Sequence, residues 1–213
     1  MSVARIAVLT IATASLAACA AGPRVSPVQV TRFHENTALA ELGRGTIFVE
    51  TAPTAAGAGF NDRGAEGEAE LSALYKAAIA AELTTLGYRE ATRAAADQVA
   101  QVRVERYVDR PGDRRGPVSV GGGASTGTFG SGVGLGIGIN LGGGQREMVG
   151  TDLAVSIRDK SSGDVLWEGR ASISASDNSE YVEPRANAAA IADAMFREFP
   201  GNNGETIEVK VDE

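Results

Sequence analysis

The sequence predicts an α+β domain, with an antiparallel sheet and two helices packed on one face of it. Two kinds of pattern carry this reading. Several short segments alternate apolar and polar residues with a period of two, the signature of half-buried strands. Two longer segments place apolar residues at i, i+3, i+4 and i+7, the signature of helices with one buried stripe. Strands paired in sequence, with separate helices laid across them, are the α+β solution to burying one face of each element.

The chain opens on a segment that belongs to export rather than to the fold. Arg5 precedes an apolar run from Ile6 to Ala17, followed by Leu16-Ala17-Ala18-Cys19 at its end. A charged start, a short apolar core and small residues at the cut mark an export signal. Twelve residues are too short to cross about 30 Å of hydrocarbon as a helix. The pattern resembles a bacterial lipoprotein signal, which implies cleavage before Cys19 and acylation of its thiol. Two other readings compete: a secreted protein cut nearby with Cys19 as a spare thiol, and an N-terminal core helix of a cytosolic protein. Cys19 is the only cysteine in the chain, so no internal disulfide can use it. Together with its spacing from Leu16, this favours lipidation. Ala20 follows it, not the aspartate of an inner-membrane retention signal, so an outer-membrane anchor facing the periplasm is expected.

The domain boundaries follow from this. Residues 1–18 read as a signal peptide, 19–27 as a lipidated flexible linker of small residues and prolines, and 28–213 as one domain. The net charge of −7 without a basic run argues against nucleic acid as a partner. Aromatic residues are only 5%, so the core must be built mainly from aliphatic side chains.

In order, Val28–Phe33 reads as a weak strand and Gly45–Thr51 as a stronger one, closed by Pro53. Residues 53–67 are Ala/Gly-rich and polar, hence a loop. A helix is expected from Glu66 to Leu86, with Leu71, Leu74, Tyr75, Ala78, Ile79, Leu83 and Leu86 in its stripe. Glu66, Glu68 and Glu70 complement its positive end, and Gly87 suits a C-terminal cap of positive φ. Asp97–Val108 alternates as a half-buried strand.

Residues 116–144 hold 13 glycines. In their second half Val133, Leu135, Ile137, Ile139 and Leu141 alternate with near-continuous glycine. Three readings stand open: a mobile loop or loose hairpin, an ordered strand whose glycine face lets another backbone approach, and a membrane-inserting hairpin. Under the second reading these five residues form an interaction strand. A nucleotide loop is excluded by spacing, because neither G-x-G-x-x-G nor a Gly-Lys-Ser/Thr run occurs.

Thr151–Arg158 and Asp164–Ser174 read as a hairpin joined by Lys160-Ser161-Ser162-Gly163. Trp167 shares the apolar parity of its strand and reads as a core anchor rather than a ligand platform. A second helix is expected from Pro184 to Glu198, stopped by Pro200-Gly201, and a final strand from Glu205 to Val211 with charged Glu208 and Lys210 outward.

Several of these residues also carry a family resemblance. Leu86-Gly87-Tyr88 after a helix, a strand opening at Asp97, Val165-Leu166-Trp167-Glu168-Gly169 after a turn, and Met195-Phe196 with Phe199-Pro200 are similar to the lipoprotein family known as domain of unknown function 4136. The resemblance spans roughly 45–211. It implies lipidation and a single α+β domain, and no chemistry.

The residues themselves hold little catalytic material. His34 is the only histidine and reads as a solvated surface residue, so a His/Cys metal site is out of reach and a Ser-His-Asp triad could use only His34. Asp62, Glu66, Glu68 and Glu70 suggest paired carboxylates for glycan hydrolysis, but a solvated first helical turn explains them better. No cofactor, metal or nucleotide is expected. The expectation is a non-enzymatic envelope lipoprotein, attached to the membrane through its N-terminal lipid and acting as an adaptor or assembly factor on another envelope protein. The alternative is a periplasmic carrier or sensor of an apolar small molecule or lipid, held between helices and sheet near Leu71, Ile79 and Trp167.

Overall fold

The structure, a computed structural model, describes residues 22–35, 38–53, 65–109, 120–125, 132–137 and 147–211. Seven strands form the main sheet: β1 (Val28–His34), β2 (Thr46–Thr51), β3 (Arg89–Glu90), β4 (Gln98–Asp109), β7 (Met148–Asp159), β8 (Val165–Ser176) and β9 (Thr206–Val209). Their order across the sheet is β3-β2-β4-β7-β8-β1-β9. Two helices cover one face, α1 (Ala65–Thr85) and α2 (Pro184–Phe196). The α+β class is therefore as expected.

The sheet is mixed, which corrects the expectation of a purely antiparallel one. β2 runs parallel to both β3 and β4, while β4, β7, β8, β1 and β9 pair antiparallel. The cause is α1. A helix between two strands carries the chain back along the sheet, so the next strand starts at the same end as the last and must run parallel to it.

Alternation decides which side of each strand meets the helices. Val28 and Val30 of β1, Ala100 and Val102 of β4, Leu153, Val155 and Ile157 of β7, and Trp167, Ala171 and Ile173 of β8 are all buried. They form one core with Tyr75, Ile79 and Leu83 of α1 and Ile191, Ala192 and Met195 of α2. Fully burying one such aliphatic side chain is worth roughly 1.5–3 kcal/mol, so this single layer supplies most of the driving force.

The local signals act where the sequence places them. Gly87 has φ +105° and ends α1, and a Cβ there would lie 2.8 Å from the Gly43 carbonyl oxygen. Pro184 opens α2 in its first turn. The β7–β8 turn is tied by Asp159, whose Oδ1 accepts from the Ser161 and Ser162 amides, each at 2.8 Å, and from Ser161 Oγ at 2.6 Å. Those bonds hold the Asp159 carboxyl below its ordinary range, the Ser161 hydroxyl contributing most.

Candidate functional site

Four segments end side by side at one rim of the large sheet. β4 reaches Asp109 there, β7 begins at Met148, β8 ends at Ser176, and residues 24–26 run beside β8 before β1 starts. Asp109 pairs with Met148, and Met148 with Ser176. The Arg24 amide donates to Ser176 Oγ at 2.8 Å, and the Ser176 amide donates to the Arg24 carbonyl at 2.8 Å. The Ser26 amide donates to the Ser174 carbonyl at 2.8 Å. From Arg24 onward, the expected linker 19–27 is thus held to the sheet. Cys19 lies outside the described residues.

The next row inward is apolar across all four segments: Val108 pairs with Val149, Val149 with Ala175, and Val25 bridges Ala175. On the opposite face Tyr107 pairs with Gly150 and covers it, so a Cβ at Gly150 would lie 2.3 Å from the ring. Tyr107 and Val108 remain 40% and 46% exposed. An aromatic ring lying on a glycine stabilises a twisted ribbon by filling the space the missing side chain leaves.

From this rim the chain passes into the Gly-rich segment between β4 and β7. Here β5 (Val120–Ser125) and β6 (Gly132–Ile137) pair antiparallel as a separate two-stranded sheet. Val133, Leu135 and Ile137 stand at alternate positions of β6, paired with Ala124, Gly122 and Val120, and Gly134 and Gly136 pair with Gly123 and Gly121. Ile139 and Leu141 lie outside the described residues.

The other sequence candidates are structural. Trp167 is fully buried, stacks on Phe196 at 5.4 Å, touches Phe199 at 5.3 Å and donates from Nε1 to the Pro200 carbonyl at 3.0 Å. His34 is half-buried rather than solvated. Its Nε2 lies 3.1 Å from the Gly201 carbonyl, and its amide donates to Asn203 Oδ1 at 3.0 Å. It therefore fastens the loop after α2. Ile79 is fully buried in the core and Leu71 packs against it. Glu70 is exposed on the first turns of α1 and Glu68 is half-buried there; Asp62 lies outside the described residues. Among the described residues, no three His, Cys, Asp or Glu side chains converge as metal donors. No helix among them is long and apolar enough to cross a membrane.

Two polar residues that sequence reasoning missed organise the interior. Arg32 is 3% exposed; its Nε donates to the Met195 carbonyl at 3.0 Å and its Nη2 to the Ala194 carbonyl at 3.3 Å. It caps α2 from another element, cation against the negative end of the helix. Burial lowers its pKa, while Glu198 and Glu205 oppose that. Its parity with Val28 and Val30 was the available signal. The second is Asn187, fully buried between Tyr75 of α1 and the Tyr181 carbonyl.

The family model for Domain of unknown function (DUF4136) matches residues 49–201. The chain belongs to this family. The DUF4136 match takes in α1, β4, the Gly-rich segment, the β7–β8 hairpin and α2, the same elements whose short motifs carried the resemblance. An uncharacterized protein of Zymomonas mobilis is 37% identical over 62 residues, which cover 29% of this chain and only 23% of that relative. Among solved structures, a PDZ domain protein from Parabacteroides distasonis superposes with a TM-score of 0.49 at 16% identity, over 87% of this chain and 38% of that one. The PelC dodecamer from Paraburkholderia phytofirmans gives 0.39 at 15% identity, over 79% of this DUF4136 chain and 94% of its own.

Proposed function

We propose that this chain is a lipoprotein anchored in the outer membrane through Cys19, facing the periplasm, and that it works without catalysis as an adaptor or assembly factor for another envelope protein. The observation that carries the reading is the Gly-rich hairpin. β5 and β6 pair with each other and not with the seven-stranded sheet, so they form a small sheet of their own. Its glycine pairs leave the backbone open to close approach by another chain. Val133, Leu135 and Ile137 on β6, continued in sequence by Ile139 and Leu141, are the apolar contacts such a partner would meet.

The test is photo-crosslinking in cells from Val133, Leu135 and Ile137, read by mass spectrometry. A discrete envelope-protein adduct, lost when Leu135 is replaced by aspartate, is the expected result. A stable domain that gives no discrete adduct and captures no envelope protein would overturn the adaptor reading. Lipid co-purifying with that domain would then favour the carrier.

A further inference from the structure

We propose that the rim bearing Tyr107 and Val108 rests on the lipid surface in which Cys19 is anchored, so that the domain stands on its membrane in one orientation. The inference rests on the lipid-anchor reading and adds a docking face to it.

The length of chain between anchor and fold makes the argument. Arg24 is already fixed to Ser176 by two hydrogen bonds. Only four residues lie between it and Cys19, and the five steps, at about 3.3–3.6 Å each, span about 18 Å at most. The rim is four segments wide, and neighbouring strands lie about 4.8 Å apart, so Val108 stands about 14 Å from the Val25 end of its row. A tether this short keeps the Val25 end of the rim within about 18 Å of the headgroups, and the far end within reach of them.

The composition of the rim suits lipid. The row Val108–Val149–Ala175–Val25 is apolar in composition; Ala175 is fully buried within it, Val149 and Val25 are half-buried, and Val108 is open. Its exposure is greatest at Val108, the position farthest from the tether. Tyr107, braced over Gly150, presents an apolar ring with a polar tip, the side chain favoured at a membrane–water boundary. Among the described residues of the rim, Asp109, Glu147 and Asp177 stand against Arg24, a balance that gives anionic lipid no attraction. A neutral lipid surface is the occupant this chemistry fits.

The experiment uses the full acylated chain in vesicles of phosphatidylcholine and phosphatidylethanolamine carrying nitroxide-labelled lipid. Acylation consumes the thiol of Cys19, so Val108→Cys or Tyr107→Cys supplies the only free thiol for an environment-sensitive fluorophore. Ser162→Cys, in the turn at the opposite end of β7 and β8, is the reference position, and Trp167 emission verifies that each variant is folded. Quenching by the lipid nitroxide severalfold stronger at 107 and 108 than at 162, and unchanged by salt, is expected. Equal quenching at both ends in an acylated sample would overturn the orientation while leaving the anchor intact. Quenching that requires anionic lipid would overturn it too. An N-terminal peptide without acyl mass would remove the anchor reading and this inference together.

Discussion

The Tyr75 hydroxyl donates a 2.8 Å hydrogen bond to Asn187 Oδ1, joining the two helices in the middle of the core. Asn187 Nδ2 in turn donates to the Tyr181 carbonyl at 2.9 Å, so one buried amide ties α1, α2 and the turn before α2 together. Tyr75→Phe keeps the packing and removes one donor. It should cost about 1–2 kcal/mol, the penalty for leaving a buried acceptor unpaired. Urea unfolding measures this, and a double-mutant cycle with Asn187→Leu should show strong coupling between the two sites.

Arg32 should tolerate no apolar replacement. Arg32→Met strips both donors from the Ala194 and Met195 carbonyls and should destabilise by about 2–3 kcal/mol. Arg32→Lys restores charge but not the planar fork, and should recover only part of the loss. Thermal unfolding of the three proteins should fall in the order Arg, Lys, Met.

Gly87→Ala is predicted to be costly although it lies at the surface. Its φ of +105° disfavours any L side chain, and the new Cβ would press on the Gly43 backbone. Strain of this kind is worth about 1–3 kcal/mol. Gly163→Ala also meets positive φ, but with nothing within 4 Å. The difference in melting temperature between the two variants isolates the clash from the conformational cost.

Asp152 sits directly opposite Glu105 on neighbouring strands. Desolvation raises the Asp152 pKa first, and Glu105 adds to it. A carboxyl whose folded pKa is raised destabilises the fold when ionised, so its penalty appears as pH rises through the carboxylate range and persists at neutral pH. Asp152→Asn should therefore stabilise at neutral pH, by about 0.2–1 kcal/mol given that opposed like charges at an exposed site are partly screened. The gain should vanish in acid, where Asp152 is already protonated. Asp97 and Asp159 behave oppositely. The Thr46 hydroxyl leads in lowering the first and the Ser161 hydroxyl in lowering the second. Their contributions hold above the ordinary carboxylate range and are lost as pH falls through their lowered values. Melting temperature against pH, for wild type and D152N, checks both signs.

Most elements were legible because each announces itself locally. The alternation of Val102 and Val104, the stripe through Tyr75, Ile79 and Leu83, and the turn chemistry of Asp159–Gly163 need no distant partner to be read. Strand direction was not legible. Nothing within Thr46–Thr51 says that it runs parallel to β4, since that depends on where α1 delivers the chain. β3 is two residues long, below the length at which alternation can be seen. Arg32 and Asn187 were hidden for another reason: a buried polar residue is recognisable only once the carbonyls and hydroxyls that receive it are in place. At the candidate site, the apolar alternation of β6 was visible in sequence. The rim formed by residues 24–26, 107–109, 148–150 and 174–176 was not, because it exists only through pairing between segments as much as 152 residues apart.

The place of β1 sets the order in which the molecule can be completed. It lies between β8 and β9, so this strand, the earliest of the described ones, has no neighbour on either side until Val165–Ser176 is present. Through most of synthesis both its edges stay open, and a chain stopped before Val165 would carry β1 as an unmatched strand. Contacts of such long sequence separation slow folding. β1 therefore keeps both strand edges open until β8 is in place, and one edge open until Thr206–Val209 joins it.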